Sequence, residues 1–224
     1  MTLRKIVTDN FPDFIRYPLR TLRRKLVGKS VNREEIEQYW LHPTVENTAD
    51  KYVGRKTKYL VLGLVSQFVS KEARILEIGC NAGNHLDALF KSGFTNLSGI
   101  EFNKESIALM HKEYPAMSSR IKVAEDSVEN AITKTEPVDM IFTLAVFQCL
   151  HPSSEWVFKE VAKRTKFLIT IEDELEHSFS WRHFPRNYKK IFERLGMKQI
   201  TALDCAPIEG LGKGYMLRVF SARQ

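Results

Sequence analysis

From Lys71 onward the chain alternates short apolar runs with amphipathic segments, and this alternation constrains the fold more than any other feature. The runs cover 74–78, 96–100, 120–124, 138–143, 166–171, 198–205 and 215–220. The intervals 84–91, 104–113, 127–133, 153–163 and 185–195 space apolar residues three and four apart, the period of a helix with one buried face. Strands that alternate with helices join parallel neighbours through crossovers, so the expected architecture is a doubly wound α/β sheet of seven strands. No helical pattern separates the last two runs. Residues 209–214 hold Gly210, Gly212 and Gly214, which permit a hairpin there.

Ahead of this region, residues 31–69 are expected to be helical. Asn32 can cap a helix entering Glu34 and Glu35, and His42 with Pro43 divides that helix from the next. Residues 1–30 carry eight basic residues against Asp9 and Asp13, almost all of the chain's net charge of +7. Leu19, Leu22, Leu26 and Val27 recur at helical spacing among Arg20, Arg23, Arg24 and Lys25, so 17–28 is expected to form a basic amphipathic helix ended by Gly28. Such a helix can lie on an anionic membrane, contact a lipid-linked substrate, or fold back as a solvated arm. The expected division is a basic arm at 1–30 and one domain at 31–224, with a helical lid at 31–69.

Several functional classes are disfavoured by composition. The longest uncharged apolar stretches, near 59–69 and 140–150, are too short for a membrane-spanning helix. The N-terminus lacks the apolar core of a secretory signal, so a cytoplasmic location is expected, with peripheral contact at the inner membrane surface through the arm. Cys80, Cys149 and Cys205 are odd in number and widely spaced, which suits buried reduced thiols. The six histidines include no pair at helical metal-ligand spacing, so no metal is expected. Nucleic acid is disfavoured as a partner, because the basic arm lacks interleaved aromatic residues.

The segment I-L-E-I-G-C-N-A-G-N-H-L at 75–86 reads as a buried strand entering a helix through a glycine turn. Gly79 and Gly83 let the backbone turn sharply and let a ligand approach it, while the helix N-terminus offers unpaired N–H groups. A dinucleotide fingerprint requires a glycine where Asn81 stands, and a Tyr-x-x-x-Lys pair is also missing. A nicotinamide-dependent oxidoreductase is therefore disfavoured. An acidic residue about 20 positions on, at the end of the next strand, suits both ribose hydroxyls of a nucleoside. Glu101 stands there.

The series Glu77, Gly79, Gly83 resembles the E/D-x-G-x-G-x-G motif of class I S-adenosylmethionine-dependent methyltransferases, with Asn81 replacing the middle glycine. L-S-G-I-E-F-N at 97–103 resembles the second motif of that family. Glu125, Asp126 and Ser127 stand where it reads the adenine edge, and V-D-M-I-F-T-L-A-V-F-Q-C-L-H-P at 138–152 resembles its fourth motif. The resemblance covers about 70–220. It is closest to small methyltransferases associated with nonulosonic-acid and surface-polysaccharide biosynthesis, through E-I-G-C-N-A-G-N-H-L, F-T-L-A-V-F-Q-C-L-H-P and the fifth strand K-F-L-I-T-I-E. It implies a Rossmann-like sheet with an N-terminal helical extension and S-adenosylmethionine as cofactor. The implied cofactor residues are Glu77, Gly79, Cys80, Asn81, Gly83, Asn84, Glu101, Phe102, Asp126, Ser127 and Leu144. Gln148 and His183 would meet the acceptor, a sugar, glycan or other small molecule methylated on oxygen.

Methyl transfer is an in-line displacement at an activated carbon, so positioning the acceptor can supply most of the catalysis and a strong base is optional. His151 after the fourth strand is the first candidate base; Glu172 and Asp173 after the fifth, and His183, are others. Plainer roles stand beside these: Asp126 and His151 as helix caps, Tyr39 and Trp40 as a buried staple in place of an aromatic wall over the cofactor. A non-catalytic binding protein of the same fold is the alternative function.

Overall fold

The computed structural model describes residues 31–175 and 182–223. The chain divides into two units, 1–32 and 33–224; the basic arm and its 17–28 pattern lie outside the described residues. The second unit opens with α1 (Arg33–Leu41), two short 3-10 turns at Val45–Asn47 and Ala49–Tyr52, and α2 (Thr57–Phe68). There follow β1 (Arg74–Ile78), α3 (Asn84–Lys91), β2 (Asn96–Glu101), α4 (Lys104–Glu113), α5 (Pro115–Ser118), β3 (Lys122–Glu125), α6 (Val128–Ile132) and β4 (Val138–Leu144). After 3-10 turns at Phe147–Cys149 and Pro152–Ser154, α7 (Trp156–Lys163), β5 (Thr165–Asp173), α8 (Tyr188–Arg194), β6 (Met197–Asp204) and β7 (Tyr215–Ala222) complete it.

The described strands form one sheet in the order β3-β2-β1-β4-β5-β7-β6. β1 to β5 pair in parallel, and β7 lies antiparallel between β5 and β6 as the second arm of a hairpin. Helices cover both faces, which is why β1 reads as a nearly continuous apolar run: Ile75 and Ile78 are buried on opposite sides. One face packs Ile75, Leu86, Leu89, Met110 and Phe142 under Val61 and Val65 of α2. The other packs Leu76, Ile141 and Phe220 under Val157, Phe158 and Val161, a three- and four-residue stripe on α7.

Element order follows the sequence expectations, and the boundaries differ where local turns intervene. The third strand starts at Lys122, because α5 and a turn closed by Arg120 N–H on the Met117 carbonyl take up the preceding residues. The helix expected at 153–163 begins at Trp156, and that expected at 185–195 begins at Tyr188, where Asn187 caps it by accepting from Lys190 N–H. All three cysteines are buried free thiols. No described helix is long and apolar enough to cross a membrane. β1 has β2 on one side and β4 on the other, so the chain reverses its winding there and a crevice opens at the carboxyl ends of those strands.

Candidate active site

The glycine turn after β1 forms the floor of that crevice. Gly79 and Cys80 both donate their N–H to the Ile100 carbonyl of β2. Gly79 has φ +71°, and a Cβ there would lie 2.4 Å from Cγ2 of Val146, so only glycine fits. Asn81 also has positive φ, +46°, and its Oδ1 accepts from Ala82 N–H. Asparagine tolerates this region better than other residues with a Cβ, which explains its presence at the family's middle glycine. Gly83 begins α3 at φ +79°; a Cβ there would strike Met110 at 2.7 Å, so this glycine serves helix packing beneath the crevice and is not part of its wall.

A cavity of about 570 Å³, within the range of small-molecule sites, rises from this floor. Of the residues expected to hold cofactor or acceptor, all but Gly83 and Glu172 line it. Glu77 is 2% exposed; its Oε1 meets His85 Nδ1 at 2.7 Å, and His85 Nε2 meets Thr57 Oγ1 at 3.1 Å. Its Oε2 is buried with no hydrogen-bond partner among the described residues. An orphaned carboxylate oxygen in a cavity wall fits the ammonium group of an amino-acid cofactor. Burial pushes the Glu77 carboxyl above its usual pKa, and His85 opposes the shift.

Glu101, also buried, accepts from Asn81 N–H at 2.9 Å and from Asn103 N–H at 2.8 Å. Each oxygen keeps a second lone pair for a hydroxyl. Burial raises its pKa against those N–H contacts. Asp126 accepts from Ser127 N–H and Asn130 Nδ2, and the Asn130 contact leads in holding its pKa low. The cap of α6 is Ser127, whose Oγ accepts from Asn130 N–H; Asp126 braces the turn before it.

The far half of the cavity is built by the loop after β4, where Ala145 has φ +60°. Glu172, a candidate base on sequence grounds, does not line the cavity. It is fully buried behind the wall, where it accepts from Thr143 Oγ1 and from the N–H groups of Val146, Phe147 and Gln148. It lies outside the cavity lining, and its contacts hold the loop. Burial raises its pKa to about 7 despite those donors. Asp173 likewise lies outside the cavity lining, its Oδ1 accepting from Leu175 N–H.

Gln148 is held at both ends: Oε1 accepts from Asp173 N–H and Nε2 donates to Tyr215 Oη. His151 lines the cavity and also caps the Pro152–Ser154 turn, its Nδ1 accepting from Ser153 N–H and lying 2.7 Å from Ser153 Oγ. Arg186, which sequence reasoning passed over, donates to the carbonyls of Phe147, Leu150 and Phe184 and pairs with Glu155. No sequence signal marks it, since its targets are backbone oxygens of a loop folded far along the chain. Trp40 lines the cavity, whereas Tyr39 packs edge-on against it at 5.2 Å behind the wall. Among the described residues no cluster of potential metal ligands is present.

Residues 75–166 match the family model described as a methyltransferase domain. No curated protein matches the chain in sequence. Among solved structures, the bifunctional kinase-methyltransferase WbdD is similar at TM-score 0.59 and 19% identity over 75% of this chain. The chain spans 40% of the length of that protein. A TehB-like S-adenosylmethionine-dependent methyltransferase from Corynebacterium glutamicum is similar at TM-score 0.60 and 15% identity, covering 86% of this chain and all of that one. The CcbJ methyltransferase from Streptomyces caelestis is similar at 0.61 and 8%, over 76% and 91% of the two chains. At these identities the likeness is one of fold. The domain match covers 75–166, and the solved structures, one of them an S-adenosylmethionine-dependent methyltransferase, share the fold of this chain.

Proposed function

We propose that the chain methylates a hydroxyl oxygen of a sugar, glycan or other small acceptor. One observation carries this reading: the same cavity joins the Glu77, Gly79, Glu101 and Asp126 cradle to a polar chamber lined by Gln148, His151, His183 and Tyr215. The motif resemblance to polysaccharide-associated methyltransferases supports a sugar hydroxyl. In the cradle, Glu77 Oε2 would take the cofactor's ammonium group, Glu101 the ribose hydroxyls and Asp126 the adenine edge. Phe102 and Leu144 would flank the ring, and Cys80, Asn81, Asn84 and Ser127 would complete the walls. The helical segment at 31–69 would act as a lid through Trp40 and Tyr52. The basic arm would gather an anionic or lipid-linked acceptor.

Bound S-adenosylmethionine supplies a methyl group already activated on a sulfonium, so the protein's task is to hold the acceptor oxygen in line and exclude water. His151 suits that task as a donor. Ser153 N–H can only donate, so in that contact Nδ1 is unprotonated and Nε2 carries the proton; the shorter contact to Ser153 Oγ also admits the other tautomer, with Nδ1 donating. In the first tautomer Nε2–H is a donor; only in the second does Nε2 have a lone pair with which to act as a base. His151→Gln is therefore expected to slow turnover by about tenfold, less than the 10²- to 10⁴-fold typical of a lost general base.

The test is calorimetric titration with S-adenosylmethionine, S-adenosylhomocysteine and NADH, followed by mass-spectrometric detection of methyl transfer to a panel of sugars. Saturable binding of the first two and methylation of a sugar hydroxyl are expected. Methylation only at nitrogen or carbon acceptors would overturn the oxygen assignment, and binding with no transfer to any acceptor would favour a binding protein.

A further inference from the structure

Beside the cofactor cradle, where the Arg55 carbonyl accepts from Asn84 Nδ2, the cavity has a charge arrangement that the methyl-transfer reading does not use. Two tyrosines, Tyr39 and Tyr52, are tied together by one side chain. Asn47 Nδ2 donates to Tyr39 Oη at 2.8 Å, and Tyr52 Oη donates to Asn47 Oδ1 at 3.4 Å. Each ring carries a guanidinium: Arg182 lies 3.7 Å from the centroid of Tyr39, and Arg55 lies 4.1 Å from that of Tyr52. Both guanidiniums also act electrostatically on the Tyr52 hydroxyl. Asn47, Tyr52, Arg55 and Arg182 all line the cavity.

Stacking on an aromatic face fixes the plane of a guanidinium, and the N–H edge of a guanidinium can meet an oxyanion in bidentate fashion. Arg55 is further fixed by its Nε, which donates to the Lys51 carbonyl at 2.6 Å. Its terminal nitrogens make no hydrogen bond among the described residues. The cavity does contain carboxylates, but they are otherwise engaged. Glu37 pairs with Arg33, Glu77 with His85, Glu129 accepts from Ser154 Oγ, and Glu101 and Asp126 accept backbone N–H groups. At the rim, Glu209 pairs with Lys56. None of them is the partner of Arg55.

We propose that Arg55 and Arg182, mounted on the Tyr39–Asn47–Tyr52 platform, form an oxyanion subsite for the methyl acceptor. The acceptor class is then an anionic small molecule or sugar that carries a carboxylate or phosphate, anchored here while its hydroxyl faces the Gln148 and His151 side. This inference rests on the methyl-transfer reading and adds the charge of the acceptor to it.

The test uses the full-length protein saturated with S-adenosylhomocysteine and titrated with inorganic phosphate, glucose 6-phosphate, glucuronate and glucose. The variants are Arg55→Gln and Arg182→Gln. Lys166→Gln, at the N-terminal end of β5, removes one charge as a control. At least one anion is expected to bind, with glucose weaker by about tenfold or more, and each arginine variant is expected to lose about tenfold in anion affinity, the worth of a charge-assisted hydrogen bond. S-Adenosylhomocysteine affinity is expected to stay unchanged in both. Glucose 6-phosphate and glucuronate distinguish phosphate from carboxylate. If Arg55→Gln unfolds, Arg55→Lys keeps the charge and loses the fork, and a reduced anion affinity is again expected. Anions binding no better than glucose, or equally well in wild type and both arginine variants, would overturn the subsite. Failure of S-adenosylhomocysteine to bind would count against the cofactor reading, and the anion titrations on the free protein would still decide the subsite by the same outcomes.

Discussion

Glu101 and Gly79 show what a single residue contributes to this site. Glu101 satisfies the N–H groups of Asn81 and Asn103 from two different loops. Glu101→Ala leaves both donors without an acceptor, and an unsatisfied buried donor costs about 1–3 kcal/mol. The expected outcome is weaker S-adenosylhomocysteine binding by calorimetry, with a lower melting temperature. Gly79→Ala meets two separate penalties, the Val146 contact and the positive φ. The double variant Gly79→Ala with Val146→Ala is expected to regain the space yet keep a backbone penalty of about 1–2 kcal/mol. Urea unfolding of the single and double variants checks this; full recovery in the double variant would show that φ imposes nothing. The positions of both residues were legible in the sequence, because each stands at the carboxyl end of a strand that the apolar period marks. The role of Glu172 was not, because its donors come from the loop after another strand.

The loop between β4 and α7 is held from two sides, by Glu172 beneath it and by Arg186 across its carbonyls. The carboxyl of Glu172 has a pKa of about 7 in the folded chain against an ordinary 4.5. The folded state therefore binds this proton more tightly than the unfolded state does. The resulting stabilisation is complete below about pH 4.5 and is lost as pH rises through about 7. Relative to Glu172→Gln, the wild type is expected to lose up to about 3 kcal/mol of unfolding free energy between pH 4.5 and 8. Urea titrations of both proteins across that range measure the difference; a pH-independent gap would refute it. Arg186→Met leaves loop carbonyls unpaired and Glu155 without its partner. A destabilisation of about 2–4 kcal/mol is expected, with a raised acceptor KM and unchanged S-adenosylhomocysteine affinity.

At the scale of the whole molecule, residues 33–224 have their own sheet and two cores, one on each face. Removing residues 1–30 is expected to leave S-adenosylhomocysteine affinity and the melting temperature unchanged while lowering binding to vesicles of anionic lipid. Vesicle sedimentation of both forms tests this, and equal binding would end the membrane role proposed for the arm.

The order of strands and helices was determined by the sequence alone, since apolar period and turn residues act over a few positions. The glycine turn and the acidic residue after the second strand were determined in the same way. What lies opposite that cradle was decided only by the tertiary structure. Gln148 between Asp173 and Tyr215, Arg186 across the loop carbonyls, and Arg182 on Tyr39 join residues from distant parts of the chain. Periodicity has no term for such meetings: they depend on how the folded loops approach one another, and that is settled only when both faces of the sheet have packed.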